Sequence, residues 1–358
     1  MALENEFFNQ FLNDAKDGNA LAQYNVGICY YNGEYVEQNY EKAVSWFTKS
    51  AKNGNVYSIY QLGLCYYNGQ GVKQNYNTAI DYFNKAAALR NADALFALGY
   101  CFKYGSGVEK DNNLAFEYFK QSADLGNSDA QYHVGVCYKN GEGVEQNYEK
   151  GVEYFKLSAK NNNPDGQNYL GVAYFTGQGI DKNEARAYRY FKKAAEQGCI
   201  DAQNNLSMCY HNGQGVEKDL ELAFFWRNEA AKQEDAFACI NLGFYYEDGD
   251  GTKINLIKAF DNFNKAAKLG DAYGYYLAGD CYLQGKGTDK NENLAFEYFK
   301  KSAELGHPDG QFSLGKMYED GKVIKQSFVE AIKWYKKAAE QGHELAKQRL
   351  LQKPKKSE

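Results

Sequence analysis

An all-α solenoid of nine 36-residue helical hairpins is the fold class this sequence predicts, on three observations. Gly27, Gly63, Gly99, Gly135, Gly171, Gly243, Gly279 and Gly315 stand at multiples of 36 residues, with Ser207 in the one gap. An aromatic follows three residues after each, from Tyr30 and Tyr66 to Tyr282 and Tyr318. Ala51 recurs as Ala in every copy, down to Ala339. A hairpin of this length cannot bury its own apolar stripe, so a core forms only when copies stack.

The elements follow in chain order. Residues 4–18, within an N-terminal segment 1–18, align with a second helix alone: Phe11 matches Phe47, Ala15 matches Ala51 and Gly18 matches Gly54, while Phe7 stands where Ala43 would be. They are expected to form an N-terminal cap, with Phe7 tolerated because no earlier helix crowds it. The repeats then occupy 19–342. Asn19, Asn55, Asn91, Asn127 and Asn163 fit the N-cap of a first helix, and Pro164 and Pro308 fall just after such a position, where proline is tolerated. Ala22, Val26, Cys29 and Tyr30 give it an apolar face. Gly33 and its equivalents fit a left-handed stop.

A short turn leads to Asn39, Asn75, Asp111, Asn147 and later equivalents, which fit the N-cap of a second helix with Ala43, Phe47, Ser50 and Ala51 as its stripe and Gly54 as its stop. Gly27 lies mid-helix, where glycine costs about 1 kcal/mol relative to alanine. A close neighbour is therefore expected, with Ala43 and Ala51 as the other half of the contact. Residues 343–351 align with a first helix alone, so 343–352 are expected to cap the end and 353–358 to fray.

The recurring unit A-x-A-x-x-x-L-G-x-x-Y-x-x-G-x-G-V, ending in K-A-A-x-x-G, resembles the Sel-one-like repeat (SLR) family, a relative of the tetratricopeptide (TPR) class. Residues 295–321, AFEYFKKSAELGHPDGQFSLGKMYEDG, carry it almost letter for letter. The resemblance covers essentially the whole chain. It implies a right-handed αα superhelix whose first helices line a concave groove, and a role as an adaptor between proteins. Departures concentrate around 205–240, where Ser207, Arg227 and Glu234 replace the usual glycine, aromatic and glycine.

Composition excludes several function classes. Apolar residues make up 44% of the chain, with 32 Tyr against 3 Pro, which suits packed helices. A net charge of -5 gives no electrostatic reason to approach nucleic acid or an anionic membrane. No run approaches 18 apolar residues, so no membrane insertion is expected. The first residues carry acids where a secretory signal carries bases, so a cytoplasmic site is expected, with non-Sec delivery into a host left open.

Chemistry has few footholds. The Gly-x-Gly turn lacks both the strand of a dinucleotide loop and the G-x-x-x-x-G-K-[ST] spacing of a phosphate loop, so it reads as a turn. Cys29, Cys65, Cys101, Cys137, Cys209 and Cys281 share one buried column and are expected as reduced core thiols. One branch of the SLR family cross-links its hairpins through cysteines in the Ala51 and Gln23 columns and has a proposed β-lactam-binding or weak hydrolase activity. Here the first column is all Ala, and the second has only Cys239. His133, His211, His307 and His343 show no metal or triad spacing and are expected as single surface residues. No enzyme activity, cofactor or metal is expected.

The variable columns carry the functional expectation. Offsets equivalent to 21, 24, 28 and 31 share one face of the first helix. That face reads Tyr24, Ile28, Tyr31, then Tyr60, Leu64, Tyr67, then Phe96, Tyr100, Lys103, then Tyr132, Val136, Lys139. Toward the C-terminal end it turns polar through Asn168, Phe175, Asn204 and His211. Tyrosine offers an interface large area with a polar tip. A protein or peptide partner in the groove is expected, with self-association as an alternative.

Overall fold

The structure, a computed structural model, describes residues 2–351, with side chains from Phe8 onward. The expectations for Phe7 and for the 353–358 tail lie outside the described residues. All regular structure among the described residues is α-helical, in twenty helices. They fall into two compact units, up to Asn183 and from Glu184 on.

The first unit opens with Ala2–Lys16. First helices Ala20–Asn32, Val56–Asn68, Ala92–Tyr104, Ser128–Asn140 and Pro164–Thr176 then alternate with second helices Tyr40–Lys52, Tyr76–Ala88, Asn112–Asp124 and Tyr148–Lys160. The second unit alternates second helices Glu184–Glu196, Leu220–Lys232, Leu256–Lys268, Glu292–Glu304 and Phe328–Glu340 with first helices Ile200–Asn212, Ala236–Asp248, Ala272–Gln284 and Pro308–Asp320. It closes with Glu344–Leu351. Within each unit every helix packs on the next, which is the nearest-neighbour stacking of a solenoid.

Caps set the helix lengths. Asn19 Oδ1 accepts from the Ala22 amide at 2.9 Å, and Asn39 Oδ1 from the Lys42 amide at 2.9 Å. At the other end Gly33, at φ +77°, donates its amide to the Cys29 carbonyl. Where the usual turn glycine is missing, the backbone keeps its course: Tyr35, Arg90, Asn162 and Glu234 all take positive φ. Such a residue costs about 1–2 kcal/mol, so the hairpin geometry overrides local preference. Leu220–Lys232 accordingly ends in register despite Glu234.

The mid-helix glycines have a different partner from the one the sequence suggested. A Cβ on Gly27 would lie 2.4 Å from Phe47 Cε1, and one on Gly63 2.5 Å from Phe83 Cδ1. What needs the space first is the phenylalanine ring of the second helix; the Ala43 column follows through its backbone. Backbone comes next, with the Gly151 carbonyl 3.1 Å from a Cβ on Gly135. Phe47, Phe83 and Phe119 are the largest fully buried side chains of the first unit, and Phe191, Phe263 and Phe299 their counterparts in the second.

The seam between hairpins is polar and unannounced by periodicity. Gln23 Nε2 donates to the Ala15 carbonyl at 3.0 Å, and its Oε1 accepts from Asn53 Nδ2 at 2.9 Å. Gln131 repeats the arrangement with Ala123 and Asn161, and Gln311 with Ala303 and Gln341. A buried amide satisfied at both ends fixes register as well as area does.

Candidate functional site: the first-helix face

In the first unit the residues at offset 24 lie on the buried ring of their own hairpin. Ring centroids are 6.1 Å apart for Tyr24 and Phe47, 5.9 Å for Tyr60 and Phe83, 5.6 Å for Phe96 and Phe119, and 6.4 Å for Tyr132 and Phe155. Ile28 and Leu64 rest on the same clusters, and Val136 is likewise half-buried. One side of each residue is thus committed to the core. Residues of successive hairpins nevertheless share one patch. Burial pushes the Tyr60 hydroxyl up to about 12, with the charges of Asp93 and Asp129 and the rings of Tyr31 and Tyr24 adding to it.

The column at offset 31 reaches across to the turn of the next hairpin. Tyr31 donates to Gln70 Oε1 at 2.5 Å, Tyr67 donates to Ser106 Oγ at 3.2 Å, and Lys103 pairs with Glu142 at 3.3 Å. In the second unit His211 Nδ1 stands 3.7 Å from Asp250, and Glu247 pairs with Lys286. The chemistry changes down the column, but a partner changes with it. Lys139 instead lies 5.3 Å from the Tyr169 ring, and Lys182 lies 5.9 Å from that of Phe175. Sequence reasoning missed this bridge, although the signal was present as paired changes 39 residues apart.

The aspartates at the helix start are also occupied. Asp93 accepts from Asn127 Nδ2 at 2.9 Å and Asp129 from Asn163 Nδ2 at 2.7 Å, so each ties its helix to the next N-cap. His133 departs from the expectation of a surface residue. It stacks on Phe119 at 5.1 Å, its Nε2 meets the Tyr100 hydroxyl at 3.0 Å, and its buried Nδ1 has no partner. Burial, aided by Lys103, lowers its pKa to about 4. His307 is likewise stacked on Tyr273 at 5.0 Å, with no side-chain cap bond at its N-cap position.

Asn168 and Asn204 are buried. Asn204 Oδ1 accepts from Arg227 Nη1 at 2.6 Å. Further along the second unit the same face opens into a cleft of about 450 Å³, lined by Tyr276, Asp280, Phe299, Phe312, Lys316 and Met317 among others. Tyr276 and Phe312 occupy the offset of Tyr24, so the sequence placed them on this face. That space remains above them was decided by packing.

Reactive chemistry finds little here. All eight cysteines are thiols, and burial pushes Cys65 and Cys281 up to about 12 and Cys101, Cys137 and Cys209 to about 11. Among the described residues no three His, Cys, Asp or Glu side chains converge as metal ligands, and no helix is long and apolar enough to cross a membrane.

The Sel1 repeat model matches nine consecutive segments, 20–55, 56–91, 92–127, 128–163, 164–199, 200–235, 236–271, 272–307 and 308–343. The chain belongs to the Sel1 repeat family. Among solved structures it is similar to c5321, a protective antigen present in uropathogenic Escherichia coli strains that displays an SLR fold. The match has 30% identity and a TM-score of 0.70, covering 97% of this chain and 76% of that one. It is also similar to a Sel1 repeat protein from Oxalobacter formigenes, with 27% identity and a TM-score of 0.65, covering 86% and 89%. A search of curated proteins gives no match. This Sel1 repeat chain is thus a helical repeat scaffold of a kind whose members typically mediate protein interaction.

Proposed function

We propose that this Sel1 repeat protein is a non-catalytic adaptor that holds an extended protein segment along its first-helix face. Apolar anchoring falls on Tyr24, Ile28, Tyr60, Leu64, Phe96, Tyr100, Tyr132 and Val136. In the same unit Lys103 and Lys139 add charge and Phe175 a further ring, with Tyr31 and Tyr67 flanking, while Asn168 is buried; in the second unit, taken by itself, the face offers His211. The observation that carries this reading is the division of labour between columns. Phe47 and its equivalents and the facing glycines are nearly uniform and buried, whereas offset 24 in the first four copies and offset 28 in all nine change identity while staying partly exposed. A uniform column serves the stack; a varied, half-exposed aromatic column suits recognition. Reduced thiols buried in the core and the absence of catalytic spacing support a cytoplasmic, non-enzymatic role.

Peptide-display selection on the immobilised protein tests this. Sequences enriched by the natural chain should be lost with Tyr24→Ala/Tyr60→Ala, a variant first shown to keep its far-UV circular dichroism. Unchanged capture would move the site off this face.

A further inference from the structure

Within the second unit, three buried positions that break the repeat touch one another. Arg227 stands where other copies have Phe47, Phe83, Phe119, Phe155, Phe191, Phe263, Phe299 or Tyr335; Ser207 replaces the facing glycine; Tyr245 replaces the column cysteine. Arg227 Nη1 donates to Asn204 Oδ1 at 2.6 Å, and its guanidinium carbon lies 5.8 Å from the Tyr245 ring. Ser207 Oγ donates to the Ala223 carbonyl at 2.7 Å and lies 3.3 Å from the Tyr245 hydroxyl, which meets His211 Nδ1 at 3.2 Å. An apolar knob has become a connected polar cluster.

The cluster is one charge short. Arg227 is only 7% exposed, and its Nε is buried with no partner. Burial works against its charge, with Tyr245 and Asp235 in its favour. Asp235, however, is spent on the N-cap of the following helix, accepting from the Ala238 amide at 2.6 Å. A buried guanidinium normally has a carboxylate on its fork, because the pair offsets the loss of hydration that neither ion recovers alone. Asn204 holds this guanidinium from the first-helix face, and His211, which reaches the cluster through the Tyr245 hydroxyl and stands 3.7 Å from Asp250, keeps 34% of its side chain in solvent.

We propose that Arg227, framed by Asn204 and Tyr245, is the receptor for a carboxylate of a segment bound on the first-helix face of the second unit, an Asp or Glu side chain or a C-terminus. This deepens the adaptor reading and rests on it for the ligand. A forked, charge-assisted pair is worth about tenfold or more in affinity over the neutral amide.

Two measurements separate the site from the adaptor reading. In peptide-display selection the natural chain should favour an acidic residue at one fixed position by about tenfold. Ser207→Gly/Arg227→Phe/Tyr245→Cys, which reinstates the repeat's own packing, should lose that preference while keeping the apolar ones; Arg227→Gln serves if the triple variant fails to fold. Acidic preference in both proteins, or peptides enriched by the natural chain without it, overturns the proposal. Independently of any peptide, the Arg227 Nε–H nitrogen resonance should shift saturably with sodium acetate at constant ionic strength. An unmoved resonance overturns the site. A saturable shift with no peptide enriched supports the site and counts against the adaptor reading alone.

Discussion

Gly63→Ala probes the contact on which the stack depends. The new methyl carbon would sit 2.5 Å from Phe83 Cδ1 and Cε1, against an ordinary carbon–carbon contact of about 3.5–4.0 Å. The ring must therefore move by about 1 Å. It is 1% exposed and boxed by Ala79, Leu98 and Cys101 below and by the Tyr60 and Tyr67 rings at 5.9 and 6.4 Å. Overpacking of this kind costs about 1–3 kcal/mol. Alanine returns about 1 kcal/mol of helix propensity, so the net loss is on the order of 0–2 kcal/mol. In a Phe83→Leu background the clash is relieved and the same change should gain about 1 kcal/mol, giving a coupling of roughly 1–3 kcal/mol in a double-mutant cycle. Urea unfolding followed by circular dichroism on all four proteins measures it. Stabilisation by Gly63→Ala in both backgrounds would refute the reasoning, because the glycine would then be answering to something other than the ring.

Other expectations are narrower. Asn127→Ala removes both the cap on the Ala130 amide and the bond to Asp93 and should cost about 1–2 kcal/mol, seen as a lower melting temperature. His133 has a folded pKa lowered from 6.5 to about 4, so between those values the unfolded chain binds more protons. Its contribution is present above pH 6.5, is lost as pH falls toward 4, and reaches about 3 kcal/mol. His133→Leu should flatten that part of the stability–pH curve relative to the natural chain, and identical slopes would count against the buried neutral ring. Native protein treated with a thiol reagent at pH 8 should modify half-buried Cys199 first and the seven buried cysteines only on unfolding; rapid modification of Cys65 or Cys101 would contradict the packing.

The sequence alone determined the hairpin and its period. Asn19 and Asn39 mark helix starts and Gly33 and Gly54 mark stops, and each of these is a local property of one residue and its neighbouring amides. The identity of the inward stripe was legible for the same reason, since helical spacing decides which residues can share a face. Tertiary structure decided who meets whom across hairpins. Gly27 announced a close contact but could not say that a ring fills it; His133 looked like a surface residue until Phe119 and Tyr100 closed over it; Arg227 and Ser207 looked like separate lapses until packing joined them to Tyr245. Offset 31 shows the limit most clearly, because Tyr31, Tyr67, Lys103 and His211 resembled a ligand surface while their tips were engaged by a turn 39 residues later. Periodicity reports the face a side chain takes, whereas its partner depends on how one hairpin is set against the next, and that is fixed only when the copies stack.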